Sequence, residues 1–500
     1  MYQLSLGIGL LFSMAVLFFF SRHRAFSLFH PLFIYTAFHF LVFVIRPIFA
    51  FYLEYESLYR VYQFSPTISD KITVIAAANL GYAAFAFASL RAGSEPVRFR
   101  ADRFTLEERR RLTQLFTWAM VICAPLALYS LANNFSASGN YDGMVLDRGT
   151  GVAINTKGNG YITDGQLMLA PMCAIFAWLG RFRLISLIPM ALFVLVRGST
   201  GGRGPLISAL VIMLLLYLYE KRLKLPALRL ALAGVAVASL FSFIGEDRGH
   251  TLRVLMGIDT AEEVFSDRVN NDKFMEAMDI ANMEFFEYIV WVVPQRSGTY
   301  DYFLNNLQVV TEPIPRVLWP GKPIGSPIQM VRLWDYGSPI GMTSSLPGMG
   351  WYSLGWIGVL IWCGLWGHIL GSVYRRYWDG DQSTIKTAAY MVLIASLIVS
   401  VRDGGLLTMV KQTGAYIAPV LVWLLLAKYM RVPSLAQLRA QAFARMRKAR
   451  ERALAEPDVP QPPASPAAAP QPETAVVNLP AAVRRRRLAL LREEQAATKA

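Results

Sequence analysis

Long apolar runs are the feature that most constrains the fold of this chain. The 500 residues are 54% hydrophobic and only 17% charged, whereas a soluble domain is nearer a quarter charged. Six of the runs are roughly 17 to 23 residues long, which is the length of a helix that crosses a bilayer, and the other five are shorter. We therefore predict an all-α polytopic membrane protein with about eleven transmembrane helices. The predicted spans cover about residues 2–20, 31–53, 72–90, 112–132, 166–179, 184–196, 205–219, 228–244, 351–373, 387–401 and 415–426.

Basic residues between the spans predict the orientation of the chain. Clusters of Lys and Arg follow the first span, fill residues 91–111 and recur at 220–224, and such clusters stay in the cytoplasm. The N-terminus is therefore predicted to be periplasmic and the C-terminus cytoplasmic. The net charge of +15 follows from this bias and does not require a nucleic-acid partner. Four regions are predicted: helices 1–8 in residues 1–244, a large periplasmic loop in 245–350, helices 9–11 in 351–428, and a basic, Pro/Ala-rich cytoplasmic tail in 429–500.

The large outer loop contains two distinct segments. Residues Glu284–Val293 are apolar and aromatic, and we predict a helix that lies along the membrane interface. The segment TEPIPRVLWPGKPIG, Thr311–Gly325, contains four prolines. Proline fixes φ and favours extended geometry in the residue before it. We therefore expect a stiff loop that positions Arg316, Trp319 and Lys322.

Several cations lie on the side of the membrane that charge bias disfavours. Such residues are costly to retain and indicate a function, and the planar guanidinium fits phosphate oxygens. Each also has a plain structural interpretation: Arg46 can reach the headgroups from its helix end, and Arg316 can cap a carbonyl. As a group they predict an anion-binding surface. Its members are Arg46, Arg197, Arg203, Arg248, Arg253, Arg316, Lys322, Arg332, Arg402 and Lys411.

A pyrophosphate on a polyprenyl lipid fits such a surface. The apolar spans would take the lipid, the arginines would stabilise a pyrophosphate leaving group, and Trp319 would stack on a sugar. The general base is open: His250 is the one histidine in the predicted outer loops, and Asp403 is one of several outer carboxylates. The sequence has no Walker A, HExxH or GxSxG motif and no Cys/His cluster, so no metal or cofactor is predicted.

Two stretches resemble a known family. TEPIPRVLWPGKP, followed by TSSLPGMGWYSLGWIGVLI, is similar to the outer loop and glycine-rich helix of bacterial Wzy-type oligosaccharide repeat-unit polymerases, which make O-antigen and exopolysaccharide. The matching residues are Arg316, Trp319, Pro320, Lys322 and Pro323. The turn RGSTGGRG and the dipeptide Arg46-Pro47 also resemble family features. The resemblance covers about residues 1–430 and leaves out the tail.

The resemblance implies an inverting glycosyltransferase of the bacterial inner membrane. A glycan would leave undecaprenyl pyrophosphate and pass to a hydroxyl of the next lipid-linked repeat unit at the periplasmic face. Membrane lipids, a flippase and a chain-length regulator are the partners that this implies. We assign His250, Arg316 and Asp403 to catalysis, and Arg46, Arg197, Arg203, Arg248, Trp319, Lys322 and Arg402 to pyrophosphate or sugar binding. Two alternatives stay open: an O-antigen ligase, whose outer loop uses a histidine, and a non-enzymatic polysaccharide or lipid transporter.

Overall fold

A computed structural model gives the architecture of most of the chain. It describes residues 1–100, 103–137, 144–146, 153–155, 164–199, 203–226, 275–276, 280–314, 318–323, 325–337, 339 and 341–455. The predicted span at 228–244 lies outside these residues, as do Arg248, His250 and Arg316. The chain divides into two compact units, Met1–Gln441 and Ala442–Ala500.

The described part is almost wholly helical. One short antiparallel hairpin, β1 (Met144–Leu146) with β2 (Ala153–Asn155), is the exception. Two 3-10 turns lie at Leu304–Leu307 and Leu333–Asp335. The helices are α1 (Tyr2–Arg22), α2 (Pro31–Tyr52), α3 (Ser57–Tyr62), α4 (Ile68–Ala92), α5 (Arg103–Ala137), α6 (Asp164–Leu179), α7 (Leu184–Ser199), α8 (Arg203–Lys221), α9 (Asn282–Val292), α10 (Gln308–Thr311), α11 (Leu346–Asp379), α12 (Thr384–Asp403), α13 (Leu406–Tyr429) and α14 (Leu435–Ala455).

Eight of the described helices are long and apolar enough to cross a membrane. They are α1, α2, α4, α8, α11, α12, α13 and residues Leu106–Asn133 of α5. Two further apolar helices, Asp164–Leu179 and Leu184–Arg197, are shorter. The predicted all-helical class with several possible membrane spans is confirmed.

Two central helices, α4 and α11, pack at backbone distance because glycines line their contact. A Cβ on Gly371 would lie 2.4 Å from the carbonyl oxygen of Ser89, and one on Gly367 would lie 2.6 Å from that of Phe85. Only glycine allows such an approach. The glycine-rich sequence of α11 therefore sets how closely these helices pair.

The last two spans are longer than predicted, and the loop between them is correspondingly shorter. Arg402 and Asp403 belong to the last turn of α12, and Lys411 belongs to α13 instead of a loop. Gly404 ends α12 with φ of +72°, the left-handed geometry that commonly closes a helix. Polar residues in these helices made the predicted spans too short. In the structure, polar side chains of the two helices pair with each other: the Ser396 and Thr413 hydroxyls lie 3.2 Å apart.

Helix α9 is buried across one end of the bundle. The Asn282 amide at its start donates to the Arg402 carbonyl at 2.8 Å, at the end of α12. Just beyond its other end, the Gln295 amide donates to Asp70 at 2.7 Å, at the start of α4. The helix has 11 residues and spans only roughly 16 Å. It thus lies across one end of the bundle, and ten of its eleven residues are buried in protein; its predicted place along the membrane interface stays a prediction.

Candidate functional site

Cationic residues from distant parts of the chain meet at the end of the bundle that α9 crosses. The Lys411 ammonium lies 3.0 Å from a carboxylate oxygen of Asp164, at the start of α6, and 3.8 Å from one of Glu312. The Arg197 guanidinium at the end of α7 donates to the side-chain carbonyl of Gln166, two residues after Asp164. We call Arg197, Lys322 and Lys411, with the carboxylates Asp164 and Glu312, the basic cluster; Arg402 lies in the last turn of α12, at the same end of the bundle.

Lys322 secures the proline-rich loop. Its ammonium donates to the carbonyl oxygens of Glu312 and Ile314 at 3.0 and 3.2 Å and lies 3.6 Å from the Glu312 carboxylate. Its backbone N–H donates to the Trp319 carbonyl at 3.0 Å. The side chain is 9% exposed, so Lys322 stabilises the conformation of this loop. Its predicted contact with substrate stays a prediction. The Trp319 ring is partly exposed and available for stacking.

The backbone carbonyl of Arg402 makes hydrogen bonds to other segments, whereas its side chain makes only a long contact with a carboxylate. Its carbonyl accepts hydrogen bonds from Asn282 at 2.8 Å and from the Ser345 backbone N–H at 2.9 Å. A Cβ on Gly404 would lie 2.0 Å from the Ser345 carbonyl oxygen, so this junction is tightly packed. The side chain as a whole is 35% exposed, and its Nε lies 3.8 Å from a carboxylate oxygen of the neighbouring Asp403. Within the described part of the chain, this Nε makes no hydrogen bond.

Arg46 sits in a different setting from the one predicted. Both it and Glu284 are about 1% exposed, and Nε lies 2.9 Å from each carboxylate oxygen. Arg46 also donates to the Met275 carbonyl. A buried guanidinium needs such a partner because desolvation of a lone charge is costly. Its charge is already paired with that of Glu284; the predicted binding of pyrophosphate or sugar by Arg46 stays a prediction.

A second buried glutamate, Glu287, lies one turn further along α9. Its side chain is fully buried and accepts a hydrogen bond from the Tyr59 hydroxyl at 2.6 Å. The Lys71 ammonium lies 4.7 Å from the centroid of the Tyr59 ring. Burial raises the pKa of Glu287 to about 7, although the nearby Lys71 charge opposes the rise. The sequence signal that we missed is a pair of glutamates three residues apart in an otherwise apolar, aromatic helix.

Glu287 makes the stability of the protein depend on pH. Its pKa is raised in the folded state, so the folded protein binds the extra proton and stability falls as pH rises from about 4.5 to about 7. The loss is on the order of 3 kcal/mol. We expect Glu287→Gln to abolish this fall. Denaturant unfolding in detergent at pH 5 and pH 8 measures it: the variant should gain on the wild type at pH 8, and an equal difference at both pH values would contradict the assignment.

An apolar cleft runs into the bundle, and its lining includes Val401 and Val410, which immediately precede Arg402 and Lys411 in the sequence. Its volume is about 260 Å³ and it lies between α11, α12 and α13. On α13 it extends from Met409 to Ile417, a depth of roughly 12 Å at the rise of an α-helix. Val410, on its wall, is 48% exposed, so the cleft opens at the protein surface. Its lining residues are Phe85, Leu346, Trp366, Leu370, Leu393, Leu397, Ser400, Val401, Met409, Val410, Thr413, Gly414 and Ile417.

The remaining predicted site residues are only partly described. Arg203 begins α8, but its side chain lies outside the description, and Arg248, His250 and Arg316 lie outside it altogether. Their roles stay predictions. Among the residues that the structure describes, no group of three or more His, Cys, Asp or Glu is placed to hold a metal ion.

Comparison with known proteins adds no relative to this description. The chain matches no protein-family model, no curated protein and no solved structure. Function must therefore be argued from the site itself.

Proposed function

We propose that this protein polymerises oligosaccharide repeat units carried on undecaprenyl pyrophosphate, at the periplasmic face of a bacterial inner membrane. The observation that best supports the proposal is the apolar cleft bounded at one end by Ser400 and Met409, beside the cations Arg402 and Lys411. A polyprenyl chain needs an apolar groove, and a pyrophosphate needs cations at its end. In the proposed topology of about eleven spans, this end of the bundle faces the periplasm.

The proposed reaction is an inverting glycosyl transfer. A hydroxyl of the incoming repeat unit attacks the anomeric carbon of the donor glycan, the bond to pyrophosphate breaks, and undecaprenyl pyrophosphate leaves. Negative charge grows on the leaving oxygen, and fixed cations that meet it lower the barrier. Arg402 is better suited than the three cations of the basic cluster because its side chain has only a 3.8 Å contact with Asp403 among the described residues. Those three make closer polar contacts. In this proposal Arg197, Arg203 and Arg316 complete the pyrophosphate site, and His250 or Asp403 takes the proton of the attacking hydroxyl.

The carboxylates of the basic cluster hold its two lysines in place before any substrate binds. Asp164 and Glu312 hold Lys411 between them, and Glu312 also contacts Lys322. Buried cations without such partners would carry a large desolvation cost in the empty site. Entry of a pyrophosphate would then add negative charge next to cations that are already positioned, without a large rearrangement of the helices.

Filling the cleft tests the proposal. Gly414 lines the cleft and a Cβ there meets no atom within 4 Å, so Gly414→Leu introduces a side chain without a clash at its Cβ. We expect the KM for an undecaprenyl-linked donor to rise about tenfold, since this matches the loss of about two buried methylenes. The KM for a donor on a short prenyl chain should change little.

The matched control is Gly364→Leu. Gly364 also lies within a membrane helix with no atom within 4 Å of its Cβ position, but it does not line the cleft. Both substitutions therefore change helix propensity in the same direction. If Gly364→Leu raised the KM as much, or if short and long donors were affected equally, the cleft would not be the lipid site.

A further inference from the structure

Helix α14 follows the last possible membrane span at close range. Only Met430–Ser434 separate the end of α13 from its start, and five residues reach at most about 18 Å. The beginning of α14 is therefore confined to the neighbourhood of a membrane surface. This confinement comes from chain connectivity alone.

The exposed surface of α14 combines apolar and basic side chains. Phe443 and Met446 are 66% and 49% exposed, and residues three apart share one side of a helix. Arg445, Arg447 and Lys448 are also exposed. The whole helix has six Lys and Arg residues against one glutamate. Glu451 pairs with Arg447 at 2.8 Å, but both are largely exposed, and such pairs contribute little.

We propose that α14 lies flat on the membrane as an interfacial helix whose partner is anionic phospholipid. Phe443 and Met446 insert among the acyl chains, and Arg447, which lies roughly 40° from Phe443 around the helix, contacts lipid phosphates. A basic helix with exposed large apolar residues is typical of this mode of binding, and clustered positive charge next to a span favours anionic headgroups. A protein or nucleic-acid partner would not require Phe443 and Met446 to be presented beside a bilayer. This inference is independent of the proposed enzymatic function.

Depth measurements on the full chain in lipid nanodiscs test the inference. A nitroxide label is attached to Met446→Cys or to the control Ala444→Cys, which points roughly 160° away around the helix. The three native cysteines are buried, and labelling of the unsubstituted protein measures any background. The observable is the ratio of collisions with oxygen, which concentrates in the bilayer, to collisions with a water-soluble nickel complex.

In nanodiscs containing phosphatidylglycerol, we expect the ratio at Met446→Cys to exceed that at Ala444→Cys by at least about threefold. The difference should shrink in pure phosphatidylcholine, in high salt, and when Arg447→Glu is added. Equal ratios at the two positions would overturn the proposal. So would protection of both labels that does not depend on the lipid, or spin–spin coupling between copies, since these indicate a protein partner.

Discussion

Arg402→Ala is expected to slow chain growth by about 100-fold or more, the usual cost of removing one group that stabilises developing charge. The side chain is partly exposed, and within the described residues its one ion pair is with Asp403, at 3.8 Å. The fold should be little affected, because Asn282 and Ser345 bond to the carbonyl of Arg402 and not to its side chain. The measurement is the initial rate of glycosidic bond formation with purified lipid-linked repeat units.

Two further variants make this result specific. Arg402→Lys should keep part of the rate, because an ammonium retains the charge but loses the planar fork. Arg60→Ala is the control: Arg60 is 81% exposed and pairs with Glu56 at 3.6 Å on the surface, so its removal should leave the rate unchanged. A normal rate in Arg402→Ala would remove Arg402 from the proposed pyrophosphate site.

The second large effect is on stability. Glu284→Ala leaves the guanidinium of Arg46 buried without its carboxylate, and breaking a buried pair from one side costs about 3–5 kcal/mol. We expect a loss of this size in the free energy of unfolding, measured by denaturant titration in detergent. Glu56→Ala is the matched control because it breaks a surface pair with Arg60, and such pairs are worth at most about 1 kcal/mol.

A double variant distinguishes the stability that comes from the charges of this pair from the stability that comes from the volume of its side chains. Arg46→Met with Glu284→Leu removes both charges and keeps apolar volume, so it should recover much of the lost stability. If Glu284→Ala cost no more than Glu56→Ala, Arg46 would not depend on Glu284, and the cation would be free for substrate as the sequence first indicated.

The sequence predicted a membrane protein because the length of an apolar run can be counted from neighbouring residues alone. The ends of the helices could not be predicted in this way. The predicted spans at 387–401 and 415–426 stop short of α12 and α13, since the charged residues Arg402, Asp403 and Lys411 indicated a loop. Hydropathy cannot show that these polar groups are satisfied by other helices, as Lys411 is by Asp164.

The candidate site, too, could be predicted only in part from the sequence. Charge bias singled out Arg197, Arg402 and Lys411, and their role in binding an anion stays a prediction. Charge bias in the sequence cannot distinguish a cation that is paired with a carboxylate from one that is not. Arg46 is balanced by Glu284, which lies 238 residues away in sequence, and Lys322 is occupied by loop carbonyls. Long-range pairing of this kind has no local signature.

The most direct test of the central proposal uses the purified protein in proteoliposomes with undecaprenyl-pyrophosphate-linked repeat units as the sole glycan. We expect a ladder of longer lipid-linked chains, with one undecaprenyl pyrophosphate released for each bond formed and inversion at the anomeric carbon. Product formed only when lipid A-core is added would indicate a ligase. Movement of labelled lipid across the membrane without chain growth would indicate a transporter, and either result would contradict the proposed polymerase.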